Sequence, residues 1–267
     1  MKTAFIGSGN MARAIIGGMV ASGTAPKNIA VINPGNAKST AECETLYGVV
    51  PACSEALESA EVIVLAVKPQ SFPVALPEYS GHVNPSALII SIMAGVAIST
   101  LEGAFPQNRV IRVMPNLNLS VGKGATGIAL GALATEADGR LAEEIFSASG
   151  IVVRVTEPQL DDVAALSGSG SAYLYYLVEA LRDVAIEDGI APETAAALAN
   201  QTLIGAARLL EQTGEPPEEL RRRITSKKGT TDAAIRKMTE LGFPEAVKAG
   251  YRANKTRSAE LSAEAAK

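Results

Sequence analysis

Three stretches of this chain combine residue types and spacings suited to chemistry. The first is Gly7-Ser8-Gly9-Asn10-Met11-Ala12, directly after the apolar run Thr3–Ile6 and at the head of a helix-like segment. A glycine-rich turn in that context is the fingerprint of dinucleotide binding. Gly7 permits the tight turn. Gly9 has no side chain to block a pyrophosphate, which can rest on the helix N-terminus, where free N–H groups and the dipole favour an anion. Ala12 is small enough for helix and strand to pack closely. In isolation the pattern would be a plain strand-to-helix loop, but the strand–helix–strand unit that follows favours the nucleotide. The end of the second strand bears on which one. A site preferring NAD places Asp or Glu there to bind the ribose hydroxyls. This chain reads Val31-Ile32-Asn33-Pro34-Gly35-Asn36-Ala37-Lys38, and its first acid is Glu42. A 2′-phosphate meets no repulsion, and Asn33, Asn36 or Lys38 could contact it. NADP is therefore the expected cofactor, with NAD less favoured.

The second group sits where apolar runs end, at Ala66-Val67-Lys68-Pro69, Ser91-Ile92-Met93-Ala94-Gly95 and Met114-Pro115-Asn116. Open α/β sheets bind ligands outside the C-terminal ends of their strands. Each segment is otherwise an ordinary turn, although Lys68 before Pro69 is a rigid way to aim a cation. The third group lies in the second half. Leu166-Ser167-Gly168-Ser169-Gly170-Ser171-Ala172-Tyr173 places two glycines between helical stretches, at a cost of about 1 kcal/mol each in a helix interior. Close backbone approach to something else would account for that cost. Ile224-Thr225-Ser226-Lys227-Lys228-Gly229-Thr230-Thr231-Asp232 then leads into a helix. Its hydroxyls and N–H donors suit a carboxylate, although a simple Ser or Thr cap would look the same. Arg221-Arg222-Arg223 with Lys227-Lys228 could steer an anion or merely be a solvated face. His82, the only histidine, falls in a loop and is not a favoured catalyst.

The elements that position these groups follow from hydrophobic patterning. Thr3–Ile6, Ile29–Ile32, Glu61–Val67, Ala87–Ile92 and Arg109–Val113 read as strands covered on both faces, because their apolar character is continuous rather than alternating. Helical segments at Asn10–Ser22, Ala37–Tyr47, Ser71–Tyr79 and Ser99–Ala104 lie between them, which predicts a parallel, doubly wound sheet. Strand Gly127–Ala129, helix Glu136–Ser147 and strand Ile151–Val155 complete that domain. From Glu157 onward the pattern is helical throughout, with stops at Gly189 and Gly214 and final helices over Thr231–Leu241 and Pro244–Glu264. Several of these helices are apolar on more than one face, which favours a subunit interface. The expected domains are 1–156 and 157–267.

Composition narrows the function. The chain has 267 residues, 24 basic and 28 acidic, for a net charge of −4, and no Trp. It lacks the basic surface and stacking aromatics of nucleic-acid binders. Cys43 and Cys53 cannot frame a disulfide scaffold or, without neighbouring ligands, a metal site, so no metal and a cytoplasmic setting are expected. Arg13 and several glycines break up the only stretch resembling a signal peptide, and no run reaches the roughly 18 apolar residues of a membrane helix.

Taken together, these segments, with Arg112-Val113-Met114-Pro115-Asn116 and Val121-Gly122-Lys123-Gly124-Ala125-Thr126, resemble the pyrroline-5-carboxylate reductase family over essentially the whole chain. The resemblance implies an N-terminal Rossmann-type domain followed by an all-α dimerisation domain, and dimers that can assemble into rings of five. It implies NADPH-dependent reduction of L-1-pyrroline-5-carboxylate to L-proline, the last step of proline synthesis. By similarity, Gly7, Ser8, Gly9, Asn10 and Met11 hold the pyrophosphate, and Asn33 and Ser54 lie by the adenosine. Ala66, Val67, Lys68 and Pro69 line the nicotinamide ribose, while Met93, Ala94, Gly95 and Asn116 lie toward the nicotinamide. Ser226, Gly229, Thr230 and Thr231 match the positions that cradle the substrate carboxylate and ring nitrogen, and Thr231 is expected from its chemistry to hydrogen-bond that nitrogen or relay its proton. The chain departs from the usual pattern at Leu117-Asn118, where Thr-Pro is usual, at Ser171 (Pro) and at Lys227-Lys228 (Pro-Gly). All three departures lie near the implied substrate pocket. Rival readings are a reductase of the same architecture acting on a β-hydroxy acid or another imine, and a non-catalytic NADP sensor.

Overall fold

The computed structural model describes residues 1–33 and 35–265, so Pro34 in the Asn33–Lys38 stretch lies outside the described residues. Two compact units are present, Met1–Ser169 with the segment from Ala253 onward, and Gly170–Arg252. The first is built on eight strands: β1 (Thr3–Ile6), β2 (Ile29–Ile32), β3 (Val50–Pro51), β4 (Val62–Leu65), β5 (Leu88–Ser91), β6 (Arg109–Met114), β7 (Gly124–Leu130) and β8 (Gly150–Arg154). Their order is β3-β2-β1-β4-β5-β6-β7-β8, which contains the doubly wound 3-2-1-4-5-6 order. The continuous apolar runs are explained by two separate cores. Phe5, Val31, Val64, Ile90 and Val113 face one side of the sheet, where α1 (Asn10–Ala21) supplies Ile15, Ile16 and Met19. Ala4, Ile6, Ile32, Ile63 and Leu65 face the other, which is covered by Phe72 and Tyr79 at the ends of a later helix and by Leu101 and Phe105.

Between the strands run α2 (Ala37–Tyr47), α3 (Phe72–Ser80), α4 (Ile98–Ala104) and α5 (Glu136–Ser147). The parallel, doubly wound sheet is observed, and one pairing in it runs the other way: β7 is antiparallel to β6. Only Pro115–Lys123 connects them, too few residues for the crossover of a dozen or more that a parallel return requires. Strand β3 was not anticipated. It is two residues long and exposed, and its Pro51 is tolerated because the strand is at the sheet edge.

Helical character begins after Thr156, but the packing division falls at Gly170. The short helix α6 (Leu160–Val163) and the π-helical turn Ala164–Gly168 belong to the sheet unit. Leu160 is buried there, and Arg112 of β6, itself buried, pairs with Glu157 at 3.2 Å. The second unit holds α7 (Gly170–Glu187), α8 (Pro192–Thr213), α9 (Pro217–Arg223), α10 (Thr230–Glu240) and the first part of α11 (Phe243–Ala265). Pro192 opens α8 and Gly214, at φ 63°, closes it, as the sequence signals require. Tyr175, Tyr176, Leu198 and Ile204 are exposed in the single chain, far more apolar surface than a helical face left in water normally carries. Among the described residues no helix is long and apolar enough to cross a membrane.

Helix α5 is held by a reciprocal cap. Thr135 Oγ1 accepts from the Asp138 N–H, and the Asp138 carboxylate accepts from the Thr135 N–H at 2.8 Å. Removing the hydroxyl in Thr135→Ala should cost about 1 kcal/mol and lower Tm by about 2–4 °C in a thermal melt. An unchanged Tm would show that the cap contributes nothing.

Candidate functional site

The sheet order reverses between β1 and β4, so the crevice beyond their C-terminal ends is the place where this fold accepts a ligand. Gly7 follows β1 and Ala66 follows β4. Gly7 has φ +106°, and a Cβ there would lie 2.5 Å from the Ala66 carbonyl oxygen, so only glycine fits. Gly9 is different: a Cβ there would meet nothing within 4 Å among the described residues. Its lack of a side chain serves no packing need and leaves room for an outside group. Gly9 is also the N-cap of α1, with no side-chain cap bond and no acid in the first turn. The amides at that helix end are thus left to an anion. A dinucleotide pyrophosphate fits this cradle in shape and charge.

Further contacts fix the turn from outside. Asn33 Nδ2 donates to Ser8 Oγ at 2.7 Å, and Ser39 Oγ donates to the Ser8 carbonyl at 2.6 Å. Ser39 was missed in the sequence because its partner lies 31 residues away and no local pattern marks the pairing. Asn36 caps α2 by accepting from the Ser39 N–H at 3.0 Å, which leaves its amide NH2 unpartnered among the described residues. Glu42, the first acid after β2, is bound by Arg13 of α1. Asn33 and Ser54 line one cavity of about 350 Å³ with Thr40, Glu44 and Cys53. A hydrogen bond to Glu55 pushes the Cys53 thiol above its ordinary pKa and holds the Glu55 carboxyl down.

The remaining candidates of this unit also gather at strand ends. Lys68 is exposed at the head of a short 3-10 turn, and Pro69 and Ala94 line a larger apolar cavity of about 730 Å³ with Phe72 and Leu76. The Met93 side chain is 2% exposed and packs in the core, so only its main chain faces outward chemistry; Gly95 turns the chain at φ 77°. Asn116 is buried, its Oδ1 accepting from the Ala125 N–H at 3.0 Å and its Nδ2 donating to the Ser167 carbonyl at 3.1 Å. That amide ties the end of β6 to the π-helical turn. Of the two costly glycines, Gly168 is approached by Met114, at 3.2 Å from a would-be Cβ, while a Cβ at Gly170 would meet nothing within 4 Å among the described residues. His82 sits beside Glu58 at 2.8 Å, away from these strand ends.

In the helical unit, Ser226, Gly229, Thr230 and Thr231 come together at the start of α10. Gly229 is the N-cap, without a side-chain cap bond, and a Cβ on it would lie 2.4 Å from Ser226 Oγ. The hydroxyls of Ser226, Thr230 and Thr231 have no hydrogen-bond partner among the described residues. The capping explanation for them is therefore not realised. Lys228 holds φ 64°, the one non-glycine residue with positive φ among those described, and its N–H donates to Asp232 Oδ2 at 3.2 Å.

Fold and first turn together define a dinucleotide-dependent oxidoreductase with an appended helical unit. Residues 2–95 match the family model for NADP oxidoreductases, coenzyme F420-dependent, and residues 157–261 match that for pyrroline-5-carboxylate reductase dimerisation. The chain is 38% identical over 265 residues to pyrroline-5-carboxylate reductase 1 of Bacillus spizizenii, covering 98% of this chain and 89% of that protein. It superposes on a pyrroline-5-carboxylate reductase from Coxiella burnetii with a TM-score of 0.89 at 35% identity, covering 98% of each. The Plasmodium falciparum enzyme with NADP bound gives 0.85 at 26% identity, again over 98% of each. The chain belongs to the pyrroline-5-carboxylate reductase family. It is an oxidoreductase that uses a nicotinamide cofactor and associates with other subunits.

The two glycines make opposite predictions. Gly9→Ala should leave Tm within about 1 °C yet weaken NADPH binding at least about tenfold in a calorimetric titration, since the methyl group enters only ligand space. Gly7→Ala should lose more than about 2 kcal/mol of stability from strain and clash. Equal affinity of Gly9→Ala and wild type would contradict the pyrophosphate assignment.

Proposed function

We propose that the chain reduces L-1-pyrroline-5-carboxylate to L-proline with NADPH in preference to NADH. The observation that carries this reading is the start of α10: an uncapped helix N-terminus with three uncommitted hydroxyls. It is an arrangement suited to a small molecule carrying a carboxylate and a ring nitrogen, in a chain of this family. When bound, NADPH supplies a hydride to the imine carbon. The rest is positioning by the protein. The amides after Gly9 hold the pyrophosphate within the Gly7–Met11 turn, Asn33 and Ser54 flank the adenosine, and Ala66, Val67, Lys68 and Pro69 flank the nicotinamide ribose. Met93, Ala94, Gly95 and Asn116 border the nicotinamide, Asn116 by holding the chain in place rather than by a free amide.

On the substrate side, the N–H groups near Gly229–Thr231 and the Ser226 and Thr230 hydroxyls grip the carboxylate. Thr231 hydrogen-bonds the ring nitrogen and holds or relays its proton. A protonated imine is already a good electrophile, so no strong protein acid is needed, and orientation with exclusion of water supplies much of the acceleration. The preference for NADPH rests on Asn33 and the amide of Asn36, with the nearest acid, Glu42, engaged by Arg13. The chain works as a homodimer through its helical unit, with assembly of five dimers as the larger form, and in the cytoplasm.

Loss of nicotinamide absorbance with this substrate tests the reading directly. Wild type should turn over faster with NADPH than with NADH. Thr231→Ala should lower kcat/KM about ten- to a hundredfold while NADPH affinity is kept. Unchanged kinetics in that variant would remove Thr231 from the reaction. Asn33→Asp, which puts a carboxylate beside the ribose, should raise the KM for NADPH at least about tenfold and spare NADH. Equal effects on both cofactors would contradict the role of Asn33.

A further inference from the structure

The whole chain is acidic, yet seven cations and one carboxylate, Asp232, fall between Arg221 and Lys237. Most of those cations are already matched. Arg222 pairs with Glu219, Arg223 with Glu215 at 2.6 Å, Arg236 with Asp232 at 3.4 Å and Lys237 with Glu240 at 3.5 Å. Of the rest, the Arg221 guanidinium on α9 has no partner among the described residues, and neither have the Lys227 and Lys228 ammonium groups. Both lysine side chains are exposed, and both residues lie within the Ser226–Gly229 turn that leads into the unspent hydroxyls of α10. The one acid in that stretch of sequence is committed twice, since Asp232 accepts the Lys228 N–H as well as pairing with Arg236. A lysine is also a costly residue to place at φ 64°, where glycine would sit without strain.

We infer that Lys227 and Lys228 are specificity-determining residues, an uncompensated pair of charges that draws carboxylate-bearing imines to the start of α10. The inference rests on the substrate reading given above. Each unit charge within about 8 Å of the carboxylate through water changes binding roughly twofold, and screening at moderate salt erodes the effect. The pair should therefore lower the KM of an anionic substrate at low ionic strength and leave the chemical step alone. It should give no such help to a cyclic imine without a carboxylate, whose reacting iminium form it repels.

The test compares wild type with Lys227→Gln/Lys228→Asn, in which Asn tolerates the left-handed backbone, and with Lys227→Arg/Lys228→Arg. Steady-state rates with pyrroline-5-carboxylate and with 1-pyrroline, which lacks the carboxylate, are measured at about 10 mM and about 500 mM salt. For the neutralised variant we expect kcat/KM with the carboxylate substrate to fall about three- to tenfold at low salt, through KM, and to converge with wild type at high salt. Its kcat/KM with 1-pyrroline should not fall, because the reacting iminium of that compound is a cation, its KM for NADPH should not move, and the arginine variant should match wild type. A loss equal at both salts, an equal loss with 1-pyrroline, a shifted NADPH KM or no loss at all would each overturn the inference while the substrate reading stands. No turnover of pyrroline-5-carboxylate by wild type would overturn both.

Discussion

The nucleotide end depends on how closely two backbone segments approach where the strand order reverses. The Ala66 carbonyl lies where a side chain at residue 7 would have to be, and the left-handed backbone of Gly7 turns the chain from β1 into α1. Because that turn is tight, the α1 N-terminus points its unpaired amides at the crevice instead of spending them on a capping side chain. Ser8 cannot drift, since Asn33 holds its hydroxyl and Ser39 its carbonyl. At Gly9 no packing among the described residues demands a missing side chain, and the room left there suits a pyrophosphate. One close contact thus sets the anion site, and the neighbouring strand ends supply the remaining walls.

The helical unit solves a matching problem by a similar device. A glycine N-cap again leaves a helix end uncapped, and here hydroxyls rather than glycines surround it. The first offers main-chain donors suited to a polyanionic cofactor, and the second offers hydroxyls and amides suited to a small carboxylate. The reaction proposed for them needs neither a metal nor a strongly perturbed acid, because a protonated imine is already a good electrophile.

Much of this was legible in the sequence, for identifiable reasons. Strands β1, β2 and β5 announced themselves as unbroken apolar runs because each is buried on both faces. The glycine turn was readable because its residues are contiguous. What was not legible is what depends on distant partners or on chain length between elements. The clasp of Ser39 on Ser8 and the link from Asn116 to Ser167 join residues far apart in sequence. The reversal of β7 follows from a short connection whose consequence appears only once strand spacing is known. The π-helical turn at Ala164–Gly168 accounts for part of the glycine cost at 168 and 170, since Met114 packs against the first; a Cβ on the second would meet nothing within 4 Å among the described residues.

The most direct test of the account follows the hydride itself. The chain would be incubated with pyrroline-5-carboxylate and NADPH carrying deuterium at the transferable C4 position, and the product analysed by mass spectrometry and NMR. The account predicts L-proline carrying a single deuterium at C5, the former imine carbon. Unlabelled proline, label at another carbon, or bound NADPH that is never consumed would contradict it.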